Sequence, residues 1–257
     1  LPYLCQSESF FEYAVKTSAG SLSPRTNWTH LAQYEFDLPP LEEQTKLVRS
    51  LIQAEVHQDA LFRLGAATQT LLQSAVEETI WQSSYPRRPL AEIADAEWGA
   101  FRDGDWIETK DQSETGIRLL QLADIGTGTF LDQSSRFISD KTFDQLRCTE
   151  VLPGDLLIAR MAEPIGRTCL IPELAGRAIA AVDCCIARID LSQQSRLFWL
   201  LALNTPSWTA EVLKLSAGST RVRISRSNLE SIKVPCPSHE EQEHIVEALW
   251  SIQSPVS

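Results

Sequence analysis

The chain has 257 residues, 43% of them apolar and 22% charged, with 11 Gly and 13 Pro. That is enough to bury one or two real cores, and it excludes disordered, collagen-like and low-complexity chains. The net charge of −11 argues against simple non-specific nucleic-acid binding. Most of that acidity lies in 36–79 and in the C-terminal tail, however; residues 86–235 carry 18 Lys/Arg against 20 Asp/Glu. No apolar run approaches the roughly 18–20 residues of a membrane span. Leu1-Pro2-Tyr3 offers neither an initiator Met nor the basic start of a signal peptide, so the chain reads as a piece of something longer. Six Cys without a C-x-x-C pair suggest reduced thiols and a cytoplasmic location.

Residues 7–17 predict the end of a helix, closed by a loop over 18–27. Tyr34-Glu35-Phe36-Asp37-Leu38 alternates and predicts a strand that Pro39-Pro40 stops. From Leu41 to about Ile80 there is no Pro and one Gly, Gly65. Leu47, Leu51, Ala54, Leu61, Leu64, Leu71 and Ala75 recur there at spacings of three, four and seven. This predicts a single long helix, roughly 60 Å at 1.5 Å per residue, with an apolar stripe of coiled-coil type that needs a partner. Ser83-Ser84-Tyr85-Pro86 ends it. Beyond Pro89 the pattern is mixed, with strands predicted over 119–125, 156–159, 168–171 and 186–189. Helices are predicted over 196–203 and 207–215. Ile232-Lys233-Val234 predicts a strand, and 240–250 opens a second long helix. The order is the end of a globular α+β domain, a long helix, a whole α+β domain and the start of another long helix.

Self-comparison finds one long repeat. Ser18-Ala19-Gly20-Ser21 recurs as Ser216-Ala217-Gly218-Ser219, an offset of 198. At that offset Arg25 falls on Arg223, Leu31 on Leu229, Pro39 on Pro237, and Glu42-Glu43-Gln44 on Glu240-Glu241-Gln242. Without a gap, 12 of the 34 columns from 18–51 are identical. Solenoid units run about 20–50 residues, so this period means duplication of a domain plus its linker.

Local motifs for chemistry are weak. Asn204-Thr205-Pro206-Ser207-Trp208 lacks the second Pro of an adenine methyltransferase loop and predicts a turn between helices. Ile125-Gly126-Thr127-Gly128-Thr129-Phe130 lacks the third Gly of a dinucleotide site and predicts a hairpin turn. Glu108-Thr109-Lys110, after Asp103 and Asp105, fits the Glu-x-Lys of one nuclease class; a solvated loop is the expected use of so short a triplet. His239 and His244 are five apart, on different faces of a helix, where a zinc pair needs four. No catalytic centre, metal or cofactor is expected.

Four segments together resemble the specificity subunits of Type I restriction-modification systems. They are Leu38-Pro39-Pro40-Leu41-Glu42-Glu43-Gln44; Gly104-Asp105-Trp106-Ile107 with 117–125; Pro153-Gly154-Asp155 through Arg160 with Ile165-Gly166-Arg167; and 217–225. Pro237-Ser238-His239 departs from the usual Pro-Pro-Leu. The resemblance implies an α+β target-recognition domain with a mixed, mainly antiparallel sheet and short helices, flanked by long spacer helices. On that plan 1–40 is the remnant of a first recognition domain, 41–85 a spacer helix, 86–237 a recognition domain, and 238–257 the start of a second spacer. Each recognition domain reads one half of a split double-stranded DNA target. Methyltransferase (modification) subunits dock on the frame, and a restriction subunit joins for cleavage.

Within that plan the candidate DNA-binding residues are Arg102, Lys110, Arg160, Arg167, Ser219, Thr220, Arg221, Arg223 and Arg226. Hydroxyls and guanidinium groups suit phosphate oxygens, and Arg also suits the guanine edge. Glu42, Glu43, Gln44, Leu47 and Leu51 are the candidate partner-binding residues, with self-association through the spacer helix expected. Two other readings stand beside this one: a helical dimerisation fragment that binds no DNA, and the recognition part of a fused restriction-methylation enzyme.

Overall fold

The computed structural model describes residues 2–20, 25–94, 101–218 and 221–253. The chain divides into two compact units, Leu1–Arg63 and Leu64–Ser257. In the first, α1 (Pro2–Cys5), α2 (Glu8–Lys16) and α3 (Trp28–Leu31) are short. Ser7 caps α2 by accepting from the Phe10 amide, and Asn27 caps α3 by accepting from the His30 amide. Phe10, Tyr13 and Phe36 gather around the Tyr34 ring at centroid distances of 5.2, 5.1 and 6.3 Å. The long helix α4 (Leu41–Val76) opens in this unit, with Gln44 Nε2 donating to the Pro39 carbonyl at 2.7 Å.

In the second unit the end of α4 runs into a π-helical turn, Glu77–Trp81, and the chain then enters β1 (Arg87–Pro89). The following strands and helix are β2 (Phe101–Asp103), β3 (Gln112–Ser113), β4 (Ile117–Leu120), β5 (Phe137–Ile138), α5 (Asp140–Leu146) and β6 (Glu150–Val151). Next come β7 (Leu156–Ala159), β8 (Thr168–Leu170), β9 (Ala178–Ala180) and β10 (Cys184–Ala187). The unit closes with α6 (Arg196–Ala202), α7 (Pro206–Lys214), α8 (Arg226–Ser231), β11 (Lys233–Pro235) and α9 (His239–Gln253). Three sheets result: β1-β11, β2-β10-β7-β8 and β3-β5-β4-β9-β6. All named pairings are antiparallel except β4 with β9.

The uninterrupted apolar runs of β7 and β10 follow from burial on both faces. Leu156, Ile158, Cys185 and Ala187 face a core shared with α6, α7, α8, α9 and the end of α4. Leu157, Ala159, Cys184 and Ile186 face a second core with Leu120, Val151, Ala178 and Ala180 of the five-stranded sheet. The other face of that sheet buries Ile117, Leu119, Ile138 and Ile179. Burial pushes the Cys169 and Cys185 thiols up to about 12, so both stay protonated and serve as small apolar side chains.

The repeat is as plain in the backbone as in the sequence. Helix α7 lies 198 residues after α2 at both ends. Thr205 caps it by accepting from the Trp208 amide, as Ser7 does from Phe10. Ser225 caps α8 as Asn27 caps α3. Ala19 bridges Arg25, and Ala217 bridges Arg223. Gly20 and Gly218 hold φ of 110° and 111°. Gln242 donates to the Pro237 carbonyl at 3.0 Å, the counterpart of Gln44 and Pro39.

Four strand expectations need correction. Tyr34–Leu38 forms no strand. Its counterpart β11 pairs with β1, whereas among the described residues no strand pairs with Tyr34–Leu38. The strand expected over 119–125 is β4, ending at Leu120. Buried Asp124 then folds Leu122–Asp124 into a 3-10 turn by accepting from the amides of Gln121, Gln133 and Ser134 at 2.7–2.8 Å. The strand expected over 186–189 is β10, which starts and ends two residues earlier, where it pairs with β2 and β7. The strand expected over 168–171 ends one residue early, at Leu170. The turns expected at Gly126–Thr129 and ahead of α7 are present.

Trp208 is fully buried and its indole N–H donates to the Gly166 carbonyl at 2.8 Å. Trp208→Ala is expected to lower stability by about 3–5 kcal/mol, read as a reduced urea midpoint with an unchanged m-value. Asp105 is half-buried, and desolvation raises its carboxyl to about 6, against the lowering effect of the Thr149 amide. A raised acid binds its proton more tightly in the folded state, so stability falls as pH rises from about 4 to about 6 and stays low above. Asp105→Asn keeps the acceptor for Thr149. Its stability gain over the natural protein should be small at about pH 3.5, roughly half by about pH 5 and full by about pH 7.5 in urea melts.

Candidate nucleic-acid interface

Two loops distant in sequence meet at one end of the β2-β10-β7-β8 sheet. β7 leads into Arg160-Met161, and the loop between α7 and α8 returns beside it: Met161 bridges Arg223, and the Ile224 amide donates to the Arg160 carbonyl at 3.0 Å. Gly218 makes the return possible. A Cβ there would stand 2.4 Å from the Arg221 carbonyl oxygen, and its φ of +111° disfavours any side chain. The turn between β9 and β10 closes the group, its Asp183 carbonyl accepting from the Arg160 amide at 2.9 Å.

The cations gathered here are not equivalent. Arg160 is 7% exposed; it pairs with Asp103 and donates from Nε to the Ile224 carbonyl at 3.3 Å. Desolvation, then the charge of Arg223, lowers its pKa. Arg223 is half-buried beside Asp183 at 3.5 Å and donates to the Val182 carbonyl at 3.3 Å. Arg226 pairs with Asp103 at 3.1 Å and Glu230 at 3.2 Å, and donates to the Phe101 carbonyl at 2.9 Å. Arg221 is exposed, and among the described residues it has no ion-pair or hydrogen-bond partner. Ser219 and Thr220 lie outside the described residues.

Arg167 acts inside the domain. Its guanidinium donates to four carbonyls, those of Ile125 (2.7 Å), Leu122 (2.9 Å), Ala162 (2.9 Å) and Pro164 (3.1 Å). It therefore ties the 161–167 loop to the turn after β4, and desolvation lowers its pKa. Arg102 is exposed on β2. Lys110 is exposed and pairs with Glu108 at 2.6 Å in a 3-10 turn, Thr109–Asp111. The Glu108-Thr109-Lys110 triplet is thus a solvated turn. Asp103 and Asp105 are committed elsewhere, and among the described residues no group of three His, Cys, Asp or Glu could hold a metal.

Asp183, which pairs with Arg223, belongs to no motif, and Asp103 stands out in the sequence only as an acid ahead of the Glu108-Thr109-Lys110 triplet; the pairing of β2 with β10 brings it into reach of the arginines. Of the partner candidates, Glu42 and Glu43 are exposed in the first turn of α4, where Glu42 pairs with Lys46 at 2.7 Å. Gln44 is turned back to Pro39, and Leu47 and Leu51 are exposed. Among the described residues no helix is long and apolar enough to cross a membrane.

Residues 99–254 match the Type I restriction modification DNA specificity domain. The chain is 22% identical over 265 aligned residues to the Type I restriction enzyme MjaVIII specificity subunit of Methanocaldococcus jannaschii, covering 96% of this chain and 61% of that protein. It therefore spans less than two thirds of that relative. Its fold is similar to the HsdS subunit from Thermoanaerobacter tengcongensis, with a TM-score of 0.56 at 22% identity over 98% of this chain and 61% of that one. A second chain, solved in work on complex assembly and conformational transition of the type I R-M system, gives a TM-score of 0.62 at 22% identity, over 98% and 62%. With more than half of its length in the match, the chain belongs to the Type I restriction modification DNA specificity domain family.

Proposed function

We propose that this chain is a DNA-recognition part of a Type I restriction-modification complex: residues 86–237 read one half of a split double-stranded target. The observation that carries this reading is the meeting of the Arg160 and Arg221–Arg226 loops at one sheet end, in a chain of the specificity family. Arg221, Arg223 and Arg226, with Arg102 and Lys110 on neighbouring segments, contact DNA. Arg160 and Arg167 position the loops rather than read bases, because their donors serve Asp103 and backbone carbonyls. Ser219 and Thr220 join the phosphate contacts. Residues 1–40 are the remnant of a matching first domain, 41–85 and 238–257 are spacer segments, and Glu42, Glu43, Gln44, Leu47 and Leu51 meet the methyltransferase subunits. A restriction subunit joins the full complex. The chain works in the cytoplasm, brings no cofactor and catalyses nothing itself.

Arg223→Ala in the complex with methyltransferase subunits should weaken binding to all sequences alike and flatten the salt slope by about one. Arg167→Ala should weaken binding with the slope unchanged, since it removes a loop brace and no phosphate contact. Anisotropy titrations of a randomised half-site at several salt concentrations separate the two. If alanine at Arg221, Arg223 and Arg226 together leaves affinity, slope and sequence preference intact, the reading surface lies elsewhere.

A second reading, self-association through α4, is favoured by its apolar stripe: Leu47, Leu61, Leu64 and Leu71 are all more than half exposed. Each buried Leu is worth about 1.5–3 kcal/mol. Sedimentation of the fragment alone should show a dimer or larger at micromolar concentration; a monomer with its helix content intact refutes the idea.

A further inference from the structure

Trp106 is 68% exposed, and among the described residues of the second unit it is the one exposed aromatic ring. Trp81, Trp199 and Trp208 are buried in the core. An isolated Trp on a surface costs solvation, and this one is not loosely placed. On its N-terminal side, a Cβ on Gly104 would stand 2.1 Å from the Ala181 carbonyl oxygen, so only Gly lets the chain lie there. The Asp105 amide donates to the Ala180 carbonyl at 2.7 Å, and its carboxylate accepts from the Thr149 amide at 3.0 Å. On its C-terminal side Ile107 packs against the core under the five-stranded sheet, and Glu108 and Asp111 form a reciprocal capping box. The neighbouring Glu108 carboxylate, which Lys110 pairs at 2.6 Å, is held below the usual carboxylate range by Lys110 first and then by the Trp106 indole.

Its place matters as much as its rigidity. Trp106 follows Asp103, the carboxylate shared by Arg160 and Arg226, by three residues, at most about 11 Å along the chain. Asp105 bridges Ala181, and the next residue, Val182, accepts from Arg223. The backbone of Trp106 is thus placed beside the sheet end that carries the arginines. The nearby carboxylates are engaged: Asp103 by two arginines, Asp105 and Asp111 by backbone amides, Glu108 by Lys110. An exposed aromatic on a fixed backbone beside a cluster of arginines fits the face of a nucleobase, and apolar side chains can wedge between base steps and unstack them.

We propose that Trp106 is a nucleobase contact: it enters a base-pair step at the recognised half-site, partly unstacks it, and stacks on the freed base. The inference rests on the DNA-recognition reading above and deepens it. Trp106→Ala, Trp106→Phe and Arg223→Ala are compared in the assembled complex, on a duplex selected from a randomised pool and carrying 2-aminopurine at successive positions. Trp106→Ala should weaken binding about 10- to 100-fold with an unchanged salt slope and abolish a fluorescence rise confined to one step; Trp106→Phe should keep both. Arg223→Ala should flatten the slope and leave the fluorescence rise in place. Natural affinity and an undiminished rise in Trp106→Ala overturn the proposal, as does loss of methyltransferase assembly with DNA contact otherwise intact, which makes the ring a protein contact. If the natural complex shows no sequence-dependent binding, the recognition reading fails first and takes this one with it.

Discussion

One carboxylate organises the basic end of the domain. Asp103, the last residue of β2, receives Arg160 from the end of β7 and Arg226 from the first turn of α8. Three elements far apart in sequence converge on it. Arg160 lies almost wholly inside, where an uncompensated guanidinium would be costly, so the ion pair is a condition for the loop's conformation. Replacing one partner alone leaves the other charge stranded. Arg223 adds a like charge beside Arg160, and Asp183 offsets it. Arg160, Arg223 and Arg226 are matched by Asp103, Asp183 and Glu230, and Arg221 is exposed beside them with no ion-pair partner among the described residues.

Much of the architecture was legible because it rests on local signals. The long helix followed from a Pro-free apolar stripe, and the duplication from identities at a fixed offset. The structure carries the repeat beyond the identical columns, to caps whose residues differ, as at Ser7 and Thr205. What escaped depends on partners that sequence does not display. Tyr34–Leu38 alternates well, but among the described residues no strand pairs with it. Residues after Leu120 continue an apolar run, yet Asp124 collects amides and curls them. Arg160 and Arg167 stand among the candidate DNA-binding residues because charge is visible in sequence, whereas their burial is visible only in the fold. Their donors end on a carboxylate and on carbonyls supplied by folding.

The acidity of the whole chain and the balance of its central domain are compatible with nucleic-acid recognition of a restrained kind. A net charge of −11 penalises indiscriminate phosphate binding, and the acid-rich stretch 36–79 lies largely on α4. Cations neutralised by their own carboxylates offer little free charge at a distance. Shape and short-range contact then carry more of the discrimination, and counterion release carries less.

Gln242 has a mechanical consequence. It is fully buried at the root of α9, where it accepts from the Ser195 amide at 2.8 Å and donates to Gln194 at 2.9 Å and to Pro237 at 3.0 Å. One side chain thus bolts the helix to the N-cap of α6 and to the last turn of the domain. Ile245, Val246 and Leu249 then lay the next turns onto the same core. A joint fixed at so many points has little play. α9 is a stiff lever whose pivot is inside the domain, and a tilt of the domain by a few degrees sweeps the far end of the helix through a proportionate arc.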